Sequence, residues 1–402
     1  MNTLYVYLLK DTETVLWGLS GKSRLVRMLE SKAGMVLVES LDEIPDESCV
    51  LLLLSDYLYD PRILSNLMSG SEQLALKAST EENIVAAKVV VINARQASLE
   101  LSGKSEFSLL SELPSVLPEE LVKAYDAKLL KYDPPEILAI NEQNKTQLEN
   151  ELFNGSYKGI TDIVTKWLWP LPAKAAVKFC VKQGLSANQV TLFSFVLALL
   201  AGFAFAYGFF ISGLMMGWLM TFLDTVDGKL ARVTVSSSKI GDILDHGLDL
   251  VHPPLWYLAW ALGIAGVWMS PTLVMPMFWI ILLAYIGGRF CEGAFDLWIA
   301  PFRLFLWQPF DSYNRLITAR RNPNMILLTA SLFFDRPDLG LYSVAAWHVF
   351  STIILFIRVI MAMKEKKRVG ELETWLNTID PVNDLGRLEV RLFTRLSKSS
   401  LV

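Results

Sequence analysis

Residues 224–250 read DTVDGKLARVTVSSSKIGDILDHGLDL. They hold five aspartates: Asp224, Asp227, Asp242, Asp245 and Asp249. Long apolar runs flank them, LLAGFAFAYGFFISGLMMGWLMTFL before and VHPPLWYLAWALGIAGVW after. Asp224 and Asp227 are three apart, and Asp245 and Asp249 are four apart, so on helices each pair shares a face. The serines between them let the chain reverse. Two antiparallel helices then bring four carboxylates together at a membrane surface. Such a group repels itself and loses hydration, and divalent cations relieve both problems. Hard oxygen ligands favour Mg²⁺, Mn²⁺ or Ca²⁺ over zinc. Four carboxylates can hold two metals, the arrangement that clamps a transferring phosphoryl group. A solvated acidic helix-turn-helix accounts for any one aspartate but not for the set. Gly228, Ala231 and Gly241 are small and allow a ligand close to the backbone. Arg232 offers a planar fork for phosphate oxygens. Asp242 falls on the same face and reads as a supporting or solvated acid.

Outward from this stretch, the 402-residue chain divides in two. Hydrophobic residues make up 52% of it and the mean hydropathy is +0.37. That excess lies mostly between Val190 and Met363, so a soluble domain followed by a membrane domain is expected. We expect six spans, at about 188–208, 211–231, 240–265, 273–296, 323–336 and 340–363. The fifth is shorter than the ~20 residues a span needs and must borrow from its flanks. Loops near 209–211 and 266–272 lack Lys and Arg, whereas Lys229, Arg232, Lys239, Arg303, Arg315, Arg320, Arg321 and the 364–368 cluster lie on the opposite side. The positive-inside rule then puts both termini and the aspartates in the cytoplasm, in a multi-pass protein of the cell (inner) membrane. The net charge of -4 argues against a nucleic-acid partner. Cys49, Cys180 and Cys291 form no metal-ligand pattern. The first residues predict no cleaved signal peptide.

The motif Asp224-x-x-Asp227-Gly228-x-x-Ala231-Arg232, eight residues, Gly241-x-x-x-Asp245-x-x-x-Asp249 resembles the complete signature of the CDP-alcohol phosphotransferase (CDP-alcohol phosphatidyltransferase) family. The resemblance implies an all-α membrane domain of six helices over 186–363, often homodimeric. It implies transfer of a substituted phosphate from a CDP-alcohol (CDP-diacylglycerol or a CDP-polyol) to an acceptor hydroxyl, with release of CMP. By position, Asp224, Asp227, Asp245 and Asp249 would bind Mg²⁺ or Mn²⁺, two metals in all. Asp245 and Asp249 would be catalytic, Asp249 as the general base. Gly228, Ala231, Arg232 and Gly241 would hold the CDP portion. Asn188 and Thr191 resemble the family's Pro-Asn-x-x-Thr start of the first span, with Ala187 in place of the proline. DHGLD with the upstream DGK-x-AR is similar to the choline and ethanolamine branch.

Other residues are weighed beside it. His246 points to another helix face than Asp245, His252 sits where it can support the ligands, and His348 reads as a core histidine. Arg289 and Glu292 either pair with each other or line the acceptor cavity, where Arg289 would bind substrate. Arg358 is a further candidate for that cavity. Arg315, Arg320, Arg321 and Asn322 read as a positive-inside anchor, with a lipid- or substrate-phosphate role as the alternative. Ser186 and Gln189 form a capping box that starts a helix at Ala187.

Residues 1–157 read as a soluble α/β domain. Strands are expected at 4–9, 35–39, 49–55 and 87–93, a helix at 21–34, a parallel sheet, and helix across EILAINEQNKTQLENELFNG. Residues 1–130 resemble the nucleotidyltransferase domain fused to some family members. WGLSGKSR (17–24) keeps only Gly18 and Gly21 of its glycine-rich loop, which implies a degenerate domain, regulatory or dimerising. Residues 158–185, basic and rich in tryptophan, read as an interfacial amphipathic segment, and 364–402 as a cytoplasmic tail. Two alternatives remain at this point: a bifunctional enzyme that also makes its CDP-alcohol from CTP, and a non-enzymatic cation binder or transporter.

Overall fold

The computed structural model describes residues 3–30, 34–70, 73–79, 83–106, 108–236 and 239–394; the side chains of 239–246 and 248 lie outside that description. Two compact units emerge. The first comprises Met1–Asp126, Asp133–Tyr157 and Arg232–Ser236, and the second Ala127–Tyr132, Lys158–Ala231 and Ser237–Val402.

The first unit is α/β. Its strands are β1 (Leu4–Leu9), β2 (Met35–Val38), β3 (Cys49–Leu54), β4 (Tyr57–Tyr59), β5 (Leu74–Lys77), β6 (Ile84–Val90) and β7 (Ser115–Val116). Its helices include α1 (Gly21–Glu30), α2 (Pro61–Ser69), α3 (Val91–Leu101), the single turns α4 (Leu109–Glu112) and α5 (Pro118–Leu121), and α6 (Lys145–Gly155). The main sheet has the order β2-β1-β3-β6-β5-β7. β3 is apolar throughout because it is covered on both faces, and Val50, Leu51, Leu52 and Leu53 are fully buried.

The expected parallel sheet is mixed instead. β1 runs parallel to β2 and β3, but β6 is antiparallel to both β3 and β5. The connection from Lys77 to Ile84 is too short for the crossover that parallel neighbours require. The AKVVVIN run accordingly stops as strand at Val90, and Val91 opens α3. The stretch expected to be helical from Glu136 begins as a strand, Ile137–Ala139, paired with β4, and turns helical only at Lys145.

Glu100 on α3 is fully buried. It accepts hydrogen bonds from Leu109 N (3.0 Å), Leu110 N (2.8 Å), Gln96 Nε2 (3.0 Å) and Ser108 Oγ (2.9 Å). Burial pushes its carboxyl up, but these donors outweigh that and hold it below its usual 4.5. A lowered carboxyl stabilises fully above the unfolded value, and that stability is lost as pH falls through the lowered one. Glu100→Ala strands two backbone N–H groups, so a loss of about 2–3 kcal/mol is expected. Hydrogen exchange on the full-length protein should then quicken across α3 and α4.

The second unit is helical. α7 (Pro170–Gln183) ends on Gly184 in the left-handed conformation, φ 68°. Trp167, Leu168, Leu171 and Phe179 are exposed on and just before it. α8 (Ala187–Ala206) starts with the expected capping box of Ser186 and Gln189. Then follow α9 (Phe210–Val233), α10 (Lys239–Ile264), α11 (Pro271–Ala294), α12 (Pro309–Ile317), α13 (Arg321–Phe333) and α14 (Pro337–Val369). Among the described residues three helical segments are long and apolar enough to cross a membrane: Ala187–Ala206, Pro271–Ile299 and Pro337–Val369. α8 exposes Leu192, Phe193, Val196, Leu199, Leu200 and Phe203, an apolar stripe that fits lipid better than water. α13 has 13 residues and is about 20 Å long, short of the ~30 Å hydrocarbon core, so it borrows no helix from its flanks.

Close backbone contact fixes α10 against α8. A Cβ on Gly263 of α10 would lie 2.0 Å from the Phe205 carbonyl oxygen of α8, so only glycine fits. Trp256 Nε1 donates to Ala198 O at 2.8 Å, tying the same pair. Phe205 also packs edge-on against Trp256.

Candidate active site

The motif aspartates lie on α9 and α10. Asp224 and Asp227 are one turn apart near the end of α9, and Asp249 is ten residues into α10. Gly241, Asp242, Asp245 and His246 fall on the first turns of α10, where side chains lie outside the described residues.

Asp224 and Asp249 converge on one cation. Arg321, the first residue of α13, donates from Nη2 to Asp224 Oδ2 at 2.5 Å and from Nη1 to Asp249 Oδ1 at 2.6 Å. Asp227 is buried and accepts from Thr191 Oγ1 on α8 at 2.6 Å. A pocket beside them is lined by Thr191, Ser194, Met220, Asp224, Asp249, His252 and Arg321, among others. Gly228 and Ala231 are half-buried on the same helix as Asp224. Arg232, counted with the first unit, donates to Ser156 O at 3.2 Å. Asn188 is exposed on the first turn of α8.

The start of α13 is held by successive side chains. Arg320 pairs with Glu292 of α11, which also accepts from Arg289 Nη2 at 2.5 Å. Asn322 donates to Asp162 Oδ1 at 3.0 Å and to Thr165 Oγ1 at 3.2 Å. Burial pushes the Asp162 carboxyl up, but Arg315, the Thr165 N–H and Asn322 hold it below its usual range. Asn324 donates to Tyr257 OH at 2.6 Å and lies 3.5 Å from His348 Nε2. His348 is therefore a bonded core histidine, as expected.

Arg289, Arg315 and Arg320 surround one glutamate. Each keeps a buried guanidinium nitrogen without a hydrogen-bond partner among the described residues: Arg289 Nε, Arg315 Nη1 and Arg320 Nε. Such groups cost free energy unless an anion takes them up.

Two expectations change. Arg358, expected as a candidate for the acceptor cavity, is taken up by a carboxylate. It is buried, with Nε and Nη2 each 2.6 Å from an Asp311 oxygen, because a buried guanidinium needs a fixed counter-charge. Arg321 is no surface anchor, since it is spent on two motif carboxylates. Sequence reasoning missed it; the available signal was three polar residues, Arg320, Arg321 and Asn322, opening a short apolar helix.

Comparison with known proteins bears on this site directly. Residues 185–292 match the family model for CDP-alcohol phosphatidyltransferase. Archaetidylinositol phosphate synthase of Pyrococcus horikoshii is 32% identical over 206 residues, which is 50% of this chain and 94% of that protein. The chain belongs to the CDP-alcohol phosphatidyltransferase family. It is a membrane transferase of phospholipid biosynthesis that uses a CDP-alcohol donor and a hydroxyl acceptor, which removes the non-enzymatic alternative.

Members of the family use divalent metals, and the residues here fit them. Carboxylate oxygens from α9 and α10 already converge on one positive centre, the Arg321 guanidinium, and are hard donors of the kind Mg²⁺ and Mn²⁺ take.

In the first unit, the stretch expected to carry the lost glycine-rich loop is packed into the core. Asp11 Oδ1 accepts from Lys22 N at 3.2 Å, placing a carboxylate at the α1 N-terminus, where a phosphate would otherwise be favoured. Leu16, Trp17 and Leu19 are buried, with Leu16 packed against Leu58, Ile140 and Leu148.

Proposed function

We propose that this chain transfers the substituted phosphate of a lipid-linked CDP-alcohol, such as CDP-diacylglycerol, to a hydroxyl of a phosphorylated polyol, releasing CMP. The observation that carries this reading is the start of α13. Arg321 serves the aspartate motif and its neighbour Arg320 joins the Arg289–Glu292 cluster, so donor and acceptor groups sit one residue apart. The unpartnered guanidinium nitrogens of Arg289, Arg315 and Arg320 suit an acceptor phosphate. The Pyrococcus horikoshii relative is named for an inositol phosphate product, which fits this acceptor class better than the aminoalcohol that the DHGLD resemblance implied.

In this reading Asp249 takes the proton from the acceptor hydroxyl, whose pKa leaves it a weak nucleophile at neutral pH. The freed oxygen attacks the phosphorus that carries the alcohol. A new P–O bond forms, the bond to the bridging oxygen breaks, and CMP leaves with that oxygen. Asp224, Asp227, Asp245 and Asp249 would hold Mg²⁺ or Mn²⁺, which neutralise charge developing on the diphosphate. Gly228, Ala231 and Gly241 admit the donor close to the backbone, with Arg232 and Asn188 assigned to its CDP portion. Thr191 fixes the Asp227 carboxylate through its hydroxyl.

We place six helices, α8 to α11, α13 and α14, in a cell membrane with both termini and the site cytoplasmic, as a homodimer. The positive-inside pattern supports the orientation. We assign no CTP turnover to the first unit; the Asp11 carboxylate at the N-terminus of α1, where a phosphate would sit, supports this.

The test is CMP release by the purified full-length protein in lipid, with Mg²⁺ or Mn²⁺, across polyols with and without a phosphate. Phosphorylated acceptors should be preferred. Arg289→Ala should raise the KM for them about 10–100-fold, from loss of one charge-assisted contact, and leave the donor KM unchanged. Equal rates with and without the acceptor phosphate would exclude the assignment.

A further inference from the structure

We infer that Arg321 is the positioning residue that sets the two halves of the aspartate motif at a working separation. The inference rests on the metal reading above. Asp224 and Asp249 come from different helices and repel each other, so helix packing alone does not fix their carboxylates. Arg321 does so with one planar fork: one Nη on Asp224 Oδ2 and the other on Asp249 Oδ1. The second oxygen of each carboxylate, Asp224 Oδ1 and Asp249 Oδ2, takes no hydrogen bond among the described residues and is the one assigned to a shared ligand. A lysine offers a point charge on a flexible stem and cannot impose that geometry.

Arg321 can act this way because it is itself held. Its side chain is 14% exposed and its Nη1 lies 3.8 Å from Met220 Sδ. The residues around it are anchored in other directions: Arg320 on Glu292, Asn322 on Asp162 and Thr165, and Asn324 on Tyr257. A headgroup anchor would point to solvent and need none of this. These bonds also give a purpose to the polar start of so short a helix. α13 presents its first turn to α9 and α10 as a rigid bracket.

The experiment is a Mn²⁺ titration, followed by electron paramagnetic resonance, on the purified full-length protein in nanodiscs without substrate. Supporting partners that orient metal ligands typically contribute 10–100-fold in affinity, so Arg321→Ala should bind Mn²⁺ about 10–100-fold more weakly. Arg321→Lys should be weakened as well. Added guanidinium ion should restore part of the affinity to Arg321→Ala, which a role confined to folding would not allow. Arg336→Ala, at an exposed arginine paired with Asp338 at another helix end, should leave it unchanged. Where Arg321→Ala does not fold, Arg321→Lys carries the test. Unchanged Mn²⁺ affinity in a folded variant overturns the inference. Tighter binding also overturns it, because Arg321 would then be a competitor for the metals. If the unaltered protein binds no Mn²⁺, the metal reading fails first, and a normal rate of CMP release without metal identifies that case.

Discussion

Asp249→Asn should lower kcat for CMP release by about 10²–10⁴-fold, the usual worth of a positioned general base. The donor KM should change little, since asparagine keeps the size of the side chain and one oxygen. Three features of the site make Asp249 the residue to lose. It is the last motif aspartate, it lines the pocket beside Asp224, and it is the more exposed of the two carboxylates on Arg321, at 46% against 20%. An acceptor hydroxyl can therefore reach it. Asparagine cannot accept the proton, but its carbonyl oxygen can still receive the Arg321 N–H, so the bracket survives. Steady-state kinetics across pH, with Mn²⁺ held saturating, would check this. A defect cured by raising Mn²⁺ would make Asp249 a ligand alone and place the base elsewhere.

The motif was legible because its logic is local. Spacings of three and four residues on a helix announce a shared face, and the Ser186–Gln189 capping box announced the start of α8 within one residue. What stayed hidden depends on long-range closure. Arg321 meets its carboxylates across 97 and 72 residues, and no periodicity reports such a partner. Thr191 was noticed for its place in a pattern, while its contact with Asp227, 36 residues away, needed the packing of α8 on α9. In the first unit, single strands were legible from their β-branched runs. The direction of β6 was not, because it follows from the short connection to β5 rather than from either strand's own residues.

Asp311→Ala should destabilise the helical unit by about 3–5 kcal/mol, the cost of stranding a buried charge. Asp311 on α12 is fully buried and meets Arg358 of α14 through two parallel bonds of 2.6 Å. Gln308 Oε1 takes a further Arg358 N–H at 2.8 Å, and Gln308 N donates to Asp311 Oδ2 at 3.1 Å. The guanidinium also stacks over Trp307, 4.3 Å from its ring centroid. The pair fastens a layer that includes the tail: Trp375 Nε1 donates to Ser312 Oγ and Thr374 Oγ1 to Leu306 O. Removing Asp311 alone leaves Arg358 charged, buried and without its fork partner. Removing both charges does not, so Asp311→Leu with Arg358→Met should recover most of the loss. Thermal unfolding of the full-length protein in detergent, for the single and double variants, measures the difference. A single variant as stable as the parent would mean that Arg358 finds another counter-charge, and the cavity role set aside for it would return.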